Sequence, residues 1–268
     1  MPLPRVADDD LHLWTLRPPP ADSALARALA TGELDPAERR RAAEYVRPGD
    51  RVQYLAAHLA LRRILARYTG VPAGRLRFGR EAWGRPVLLG VPDPPSFSLS
   101  HSHGLVLLGV ARRPVGVDVQ RVPSYATAEL CRTALHPAER EDLAELPEER
   151  LAEAFARLWT RKEAYLKGLG TGLARGLGSD YLGAAERAGA RRPAGWAVLD
   201  LPGGPDHAAA AVLRADTAPR VTTRELRAEP LAAPSTPHAY GTHPDRSHDS
   251  HDTHDSHDMH TERGVGSA

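Results

Sequence analysis

The chain has 268 residues, 26% charged and 41% hydrophobic, enough apolar material for a packed core in one large domain or two small ones. Lys plus Arg number 35 against 34 Asp plus Glu, and a net charge of +1 gives no electrostatic footing for general nucleic-acid binding. One cysteine, Cys131, excludes an intramolecular disulfide framework and a cysteine-rich zinc site, and no apolar run is long enough to span a membrane. The opening residues, MPLPRVADDDLHLW, lack the basic-then-apolar order of a secretory signal, so the expectation is a soluble cytoplasmic protein.

In chain order, a first helix is predicted over 36–46, with Asp35 as N-cap and Pro36 at the first helical position. A longer helix, capped by Asp50, runs to Gly70. Residues 75–90 carry turn signals, among them Trp83-Gly84-Arg85-Pro86. Strands are predicted at 96–100, 105–112 and 115–121, the last two adjacent across a turn at Arg113-Pro114. Helices follow at 137–146 and 148–168, the second with Leu151, Phe155, Leu158, Leu166 and Leu169 at helical spacing. Weaker strands lie at 195–201, 208–214 and 220–227. Strands and helices mix irregularly, so the class is α+β rather than doubly wound, with a natural midpoint near 113. From Pro230 the composition changes. His248, His251, His254, His257 and His260 recur every third residue, beside Asp249, Asp252, Asp255 and Asp258. Such a segment cannot bury enough surface to offset chain entropy, so 229–268 is expected to be a disordered tail. Its His and Asp can bind a transition metal weakly, although a solvated low-complexity segment is the favoured reading.

Two segments carry chemistry. In strand 115–121, Val115, Val117 and Val119 share a buried face, and Asp118 and Gln120 share the other. A buried Asp is costly unless paired, so that face is expected to be open or liganded. From the fragment alone, a carboxylate on a solvent-facing sheet surface serves as well. In helix 148–168, Trp159, Glu163 and Lys167 fall on one stripe, with Glu163 beside the Lys167 ammonium. Only two of the 35 basic residues are lysines, Lys162 and Lys167. Chance is one reading; the other is that these positions need a compact ammonium that a guanidinium cannot replace.

Gly116-Val117-Asp118-Val119-Gln120, followed some forty residues later by Trp159-Thr160-Arg161-Lys162-Glu163-Ala164-Tyr165-Leu166-Lys167, resembles the paired motifs of the 4′-phosphopantetheinyl transferases. The likeness is to their larger type, typified by the surfactin synthetase activator. Gly84-Arg85-Pro86 is similar to a further family element, as is Phe97-Ser98-Leu99-Ser100-His101-Ser102, with Ser98 where Asn is usual. Leu34-Asp35-Pro36-Ala37-Glu38-Arg39-Arg40-Arg41 looks like the family's basic helix near its start. The resemblance covers roughly 10–228. It implies a pseudo-dimer of two similar α+β halves in one monomeric chain, 1–113 and 114–228, the second carrying the metal and catalytic motifs.

The resemblance also implies a reaction. Phosphopantetheine moves from coenzyme A to a serine of an apo acyl or peptidyl carrier protein, and adenosine 3′,5′-bisphosphate leaves. Polyketide, nonribosomal peptide and fatty acid synthesis use such carriers, and neither nucleic acid nor membrane is an expected partner. A Mg²⁺ ion, or Mn²⁺, would sit on Asp118 and Glu163, with Gln120 in doubt because many relatives have Glu there. Glu163 would act as base and Lys167 would stabilise the phosphate or the leaving group. Arg39, Arg41, Arg51, Arg85, Ser100 and His101 are candidate coenzyme A ligands. Lys162 is another candidate for the phosphates, or else points away from Glu163. Arg175, Arg187, Arg191 and Arg192, in the Gly-rich region after the long helix, are candidates for steering an acidic carrier. Two other readings stand beside this one: a catalytically weakened carrier-binding homologue, and a metal-binding protein acting through its tail.

Overall fold

The computed structural model describes residues 6–183 and 190–233. The main elements are β1 (Asp10–Leu16), α1 (Ala24–Arg27), α2 (Pro36–Ala43), α3 (Pro48–Thr69), β2 (Arg77–Arg80), β3 (Pro86–Leu89), β4 (Ser96–Ser102), β5 (Leu105–Ala111), β6 (Val115–Arg121), α4 (Tyr125–Cys131), α5 (Pro137–Ala144), α6 (Glu148–Leu169), β7 (Trp196–Leu201), β8 (His207–Arg214) and β9 (Arg220–Leu226). Strands β4-β5-β1-β9 form one sheet and β6-β8-β7 another, with β2-β3 as a separate hairpin. The architecture is mixed α+β, as the sequence implies.

Period-two alternation sorts the side chains into layers. Val106, Leu108 and Val110 of β5 pack with α3, while Leu105, Leu107 and Ala111 meet Val115, Val117, Val119, Ala209, Ala211 and Leu213 of the second sheet. On the far side of that sheet, Ala210 and Val212 pack against Ala164 and Tyr165 of α6. The order is therefore helix, sheet, sheet, helix. Gly109 allows the sheets to approach: a Cβ there would come within 2.6 Å of a Val117 methyl.

The two halves repeat one plan. Each runs strand, short helix, 22-residue helix, hairpin, giving β4-β5-β1 and β7-β8-β6 in the same antiparallel order. Leu34-Asp35-Pro36-Ala37-Glu38-Arg39 opens α2 and Leu135-His136-Pro137-Ala138-Glu139-Arg140 opens α5. Both form capping boxes, closed by Glu38 and Glu139. Both long helices end at a glycine in the left-handed region, Gly70 (φ 72°) and Gly170 (φ 76°).

Five expectations change. Strands β5 and β6 do not pair; the turn at Arg113-Pro114 passes the chain from one sheet to the other, and the two strands meet face to face. Asp50 lies in the first turn of α3, which starts at Pro48 after Arg47, so proline at the helix start sets the boundary. Residues 75–90 hold the β2-β3 hairpin as well as its turn. The tail boundary at 229 falls too early. Residues Glu229–Ala232 form a 3₁₀ turn, Leu231 is buried in the core, and Arg63 donates to the carbonyls of Pro230 and Ala233. The rest of the expected tail, 234–268, lies outside the described residues. Strand β9 also crosses back, pairing parallel with β1 in the first half's sheet. Among the described residues no helix is long and apolar enough to cross a membrane.

Candidate active site

Two glycines set the geometry. A Cβ on Gly116 of β6 would lie 1.8 Å from the Ala164 carbonyl oxygen and 2.5 Å from the Gly168 nitrogen of α6. A Cβ on Gly168 would meet the Trp196 ring at 2.9 Å. Backbone therefore touches backbone where β6 meets α6, and the next outward-facing residue of the strand, Asp118, falls beside the helix.

Asp118 is 5% exposed. Its Oδ1 accepts from Lys167 Nζ at 2.6 Å and from Ser100 Oγ at 2.7 Å, and Lys167 also donates to the Val117 carbonyl at 3.2 Å. The face predicted to be open or liganded is thus covered by α6 and β4, with an ammonium as partner. Glu163 lies one helical turn before Lys167. Its carboxyl is pushed above the usual carboxylate range, first by burial and then by the charge of Asp118; Lys167 acts in the opposite direction. Asp118 and Glu163 therefore form a coupled pair of hard oxygen donors whose repulsion a cation would relieve. Among the described residues no three His, Cys, Asp or Glu side chains cluster as a metal site. Mg²⁺ requires only one or two carboxylates when phosphate and water complete its shell, so the donor set fits. Gln120 is partly buried on the same side of β6 as Asp118.

Strand β4 closes the other edge of β6 through side chains. Ser98 Oγ accepts from Val117 N at 3.0 Å, and Ser102 Oγ accepts from Arg121 N at 3.1 Å. With Ser100 on Asp118, three alternate serines join the two halves at the site, which explains why this strand needs hydroxyls at period two. His101 points the other way, toward α3, where it meets Gln53.

The remaining candidates divide. Arg85 reaches from the β2-β3 hairpin to Ser96 Oγ at 2.7 Å and to the Gly168 carbonyl at 3.4 Å, joining the end of α6 near Lys167. Arg39, Arg41 and Arg51 are exposed on α2 and the first turn of α3; Arg41 pairs with Glu44 and Arg39 donates to the Leu34 carbonyl. Lys162 does not join them. It is buried against Glu139 at 2.8 Å and donates to the carbonyls of Leu177 and Asp180, so its three donors hold the scaffold and it points away from the site. Arg175 is engaged by both oxygens of Asp180, and Arg192 donates to the Gly183 carbonyl. Arg191 is exposed, and Arg187 lies outside the described residues.

Motif residues far apart in sequence thus meet at one backbone contact, and the chain as a whole is similar to known proteins. A family model described as the 4'-phosphopantetheinyl transferase superfamily matches residues 114–194, and one described as 4'-phosphopantetheinyl transferase, N-terminal, matches residues 19–113. The chain is 37% identical over 172 residues to the 4'-phosphopantetheinyl transferase HetI of Nostoc sp., covering 62% of this chain and 71% of that one. It is 32% identical over 178 residues to the 4'-phosphopantetheinyl transferase psf-1 of Bacillus pumilus, covering 66% and 71%. The chain belongs to the 4′-phosphopantetheinyl transferase family. It is a transferase that moves phosphopantetheine onto carrier proteins. Gln53, His58 and Glu139 were not singled out in sequence. The matching Leu-x-Pro-Ala-Glu-Arg openings of α2 and α5 would have marked Glu139, because two buried glutamates at one position of a repeat imply two buried partners.

Proposed function

We propose that this transferase takes its phosphopantetheine from coenzyme A and passes it to the serine hydroxyl of an apo acyl or peptidyl carrier protein, releasing adenosine 3′,5′-bisphosphate. The observation that carries the reading is the convergence of Asp118, Glu163 and Lys167 across the Gly116–Gly168 contact.

Asp118 and Glu163 would hold a Mg²⁺ ion, which when bound supplies charge neutralisation on the pyrophosphate. Glu163 takes the proton of the carrier serine as its oxygen attacks the phosphorus next to the pantetheine. The bond from that phosphorus to the bridging oxygen breaks, and the bisphosphate leaves with the electron pair. A carboxyl held above its usual range by burial is a stronger base than a free glutamate, which suits it to this transfer. Lys167, whose ammonium lies at Asp118 Oδ1, would offset the negative charge that develops on the leaving group. Arg85 and His101 bind phosphates of coenzyme A, with Arg39, Arg41 and Arg51 on the outer wall. The carrier approaches over the segment after α6, where Arg191 is exposed. Both halves of the site lie in one chain, which supports a monomer. The test is mass spectrometry of an apo carrier incubated with the protein, coenzyme A and Mg²⁺. A gain of one phosphopantetheine is expected. An unchanged carrier mass, with carrier binding retained, would favour a homologue that no longer catalyses.

A further inference from the structure

Gln53 lies on α3, and its amide makes two contacts that together locate a proton. The backbone N–H of Gly104, in the turn between β4 and β5, donates to Gln53 Oε1 at 2.6 Å. A backbone N–H can only donate, so the atom facing it is the oxygen and the amide cannot be flipped. The other end, Nε2, can also only donate, and it lies 3.0 Å from Nδ1 of His101. Nδ1 is therefore the acceptor, and the ring proton sits on Nε2.

We propose that Gln53 is a positioning residue that holds His101 as its neutral Nε2–H tautomer, so that His101 gives the 3′-phosphate of coenzyme A a directed hydrogen bond rather than a positive charge. This rests on the reading of His101 as a coenzyme A ligand. Among the described residues Nε2 has no hydrogen-bond partner, so its proton is free to be donated. The surroundings oppose a second ring proton. Burial lowers the His101 pKa most, followed by His58 of α3 and Lys167 of α6; the ring's attraction to the backbone of His101 itself and the charge of Asp50 of α3 pull the other way more weakly. A proton on Nδ1 would also set donor against donor at Gln53. His58 is fixed in turn by Glu38 at 3.1 Å and by stacking on Tyr54 at 4.0 Å, so the wall behind His101 is tied to the capping box of α2.

The test uses the full chain with ¹⁵N-labelled histidine. Long-range ¹H–¹⁵N spectra at neutral pH, assigned with a His101→Gln variant, should show the Nε2–H pattern for ring 101. Gln53→Glu keeps an acceptor for Gly104 but offers Nδ1 a second acceptor in place of a donor, so the proton should move to Nδ1. The KM for coenzyme A should then rise about tenfold with kcat within about twofold, and Gln53→Met, which loses the contact altogether, should raise it about fivefold. Both increases should shrink with 3′-dephospho-coenzyme A. A wild-type ring carrying its proton on Nδ1, or on both nitrogens, would overturn the proposal. So would a Gln53→Glu protein whose tautomer flips while KM stays put. A His101→Gln variant with unchanged KM and a normal Nε2–H spectrum in the wild type would refute the ligand reading beneath it, leaving the tautomer assignment intact.

Discussion

In the first half, Glu38 of α2 binds Arg62 of α3; in the second, Glu139 of α5 binds Lys162 of α6, at the same position of an equally long helix. Arg62 spends its guanidinium on Glu38, Asp35 and the carbonyls of Ala73 and Leu76. Lys162 spends its three donors on Glu139, Leu177 and Asp180. The braces are alike, and the next positions along the helices are not. Arg63 is consumed by Glu33 and by the turn at 229–233, whereas Glu163 makes no hydrogen bond among the described residues. The strand edges differ too: β9 occupies the free edge of β1, while that edge of β6 is met by side chains, the serines of β4 and Lys167. The same scaffold position is tied up by its neighbours in the first half and left without a hydrogen-bond partner among the described residues in the second.

The sharpest way to break this comparison is to neutralise both positions. Glu163→Gln should cut transfer by about 10²-fold or more, because an amide cannot accept the serine proton, and should leave the melting temperature near wild type. Arg63→Gln should do the reverse, costing about 3 kcal/mol in denaturant unfolding with turnover per folded molecule unchanged, since Glu33 loses its buried partner. A Glu163→Gln protein retaining most of its turnover would remove Glu163 from the mechanism. The braces themselves come next. Lys162→Met strands Glu139, which is 0% exposed, and should cost about 3–5 kcal/mol; adding Glu139→Gln should recover part of that loss. If Lys162→Met instead raised the KM for coenzyme A in a protein of normal stability, Lys162 would belong to the site after all.

A smaller effect separates the two ends of the C-terminal segment. Ending the chain after Ala233 should leave melting temperature and transfer rate about unchanged. Ending it after Arg227 removes Leu231 from the first half's core and two carbonyls from Arg63, and should lower stability by about 2–4 kcal/mol. Equal melting temperatures for the two truncations would mean that the 229–233 turn does not hold Arg63.

The second half was the more legible in sequence. Val115, Val117 and Val119 alternate cleanly, and α6 carries its leucines at helical spacing, so strand, helix and the Asp118–Glu163–Lys167 set could be read locally. Strand β1 was missed because Leu11, His12, Leu13 and Trp14 are all buried; a strand covered on both faces shows no alternation. The pairing of β5 with β1 rather than β6 could not be read either, since a short turn between strands is the same whether it closes a hairpin or joins two sheets. Sequence alone leaves Lys162 between the phosphates and a direction away from Glu163, because its partner Glu139 lies on another helix, a contact that motif spacing does not encode. Gln53 had no signature at all, since its role comes from Gly104 and His101, brought together only by the β4-β5 turn.

The smallest expected effect tests the strand itself. Alternation places Gln120 on the same side of β6 as Asp118, two residues along, and so within reach of the ion that Asp118 is proposed to hold. Asp118→Ala sets the scale: it removes a principal anionic donor and should raise the Mg²⁺ concentration for half-maximal rate steeply or abolish activity. Gln120→Glu adds a negative charge at the same place. Charge is a main determinant of affinity for a hard cation, so the Mg²⁺ requirement should fall by a few-fold. The saturated rate should move less, because a third carboxylate also offsets the positive field that the phosphates need. Initial transfer rate against Mg²⁺ concentration, at fixed coenzyme A and carrier, measures both quantities. Superimposable curves for Gln120→Glu and wild type would mean that residue 120 does not reach the proposed ion, and that Asp118 and Glu163 would be its only side-chain donors on β6 and α6.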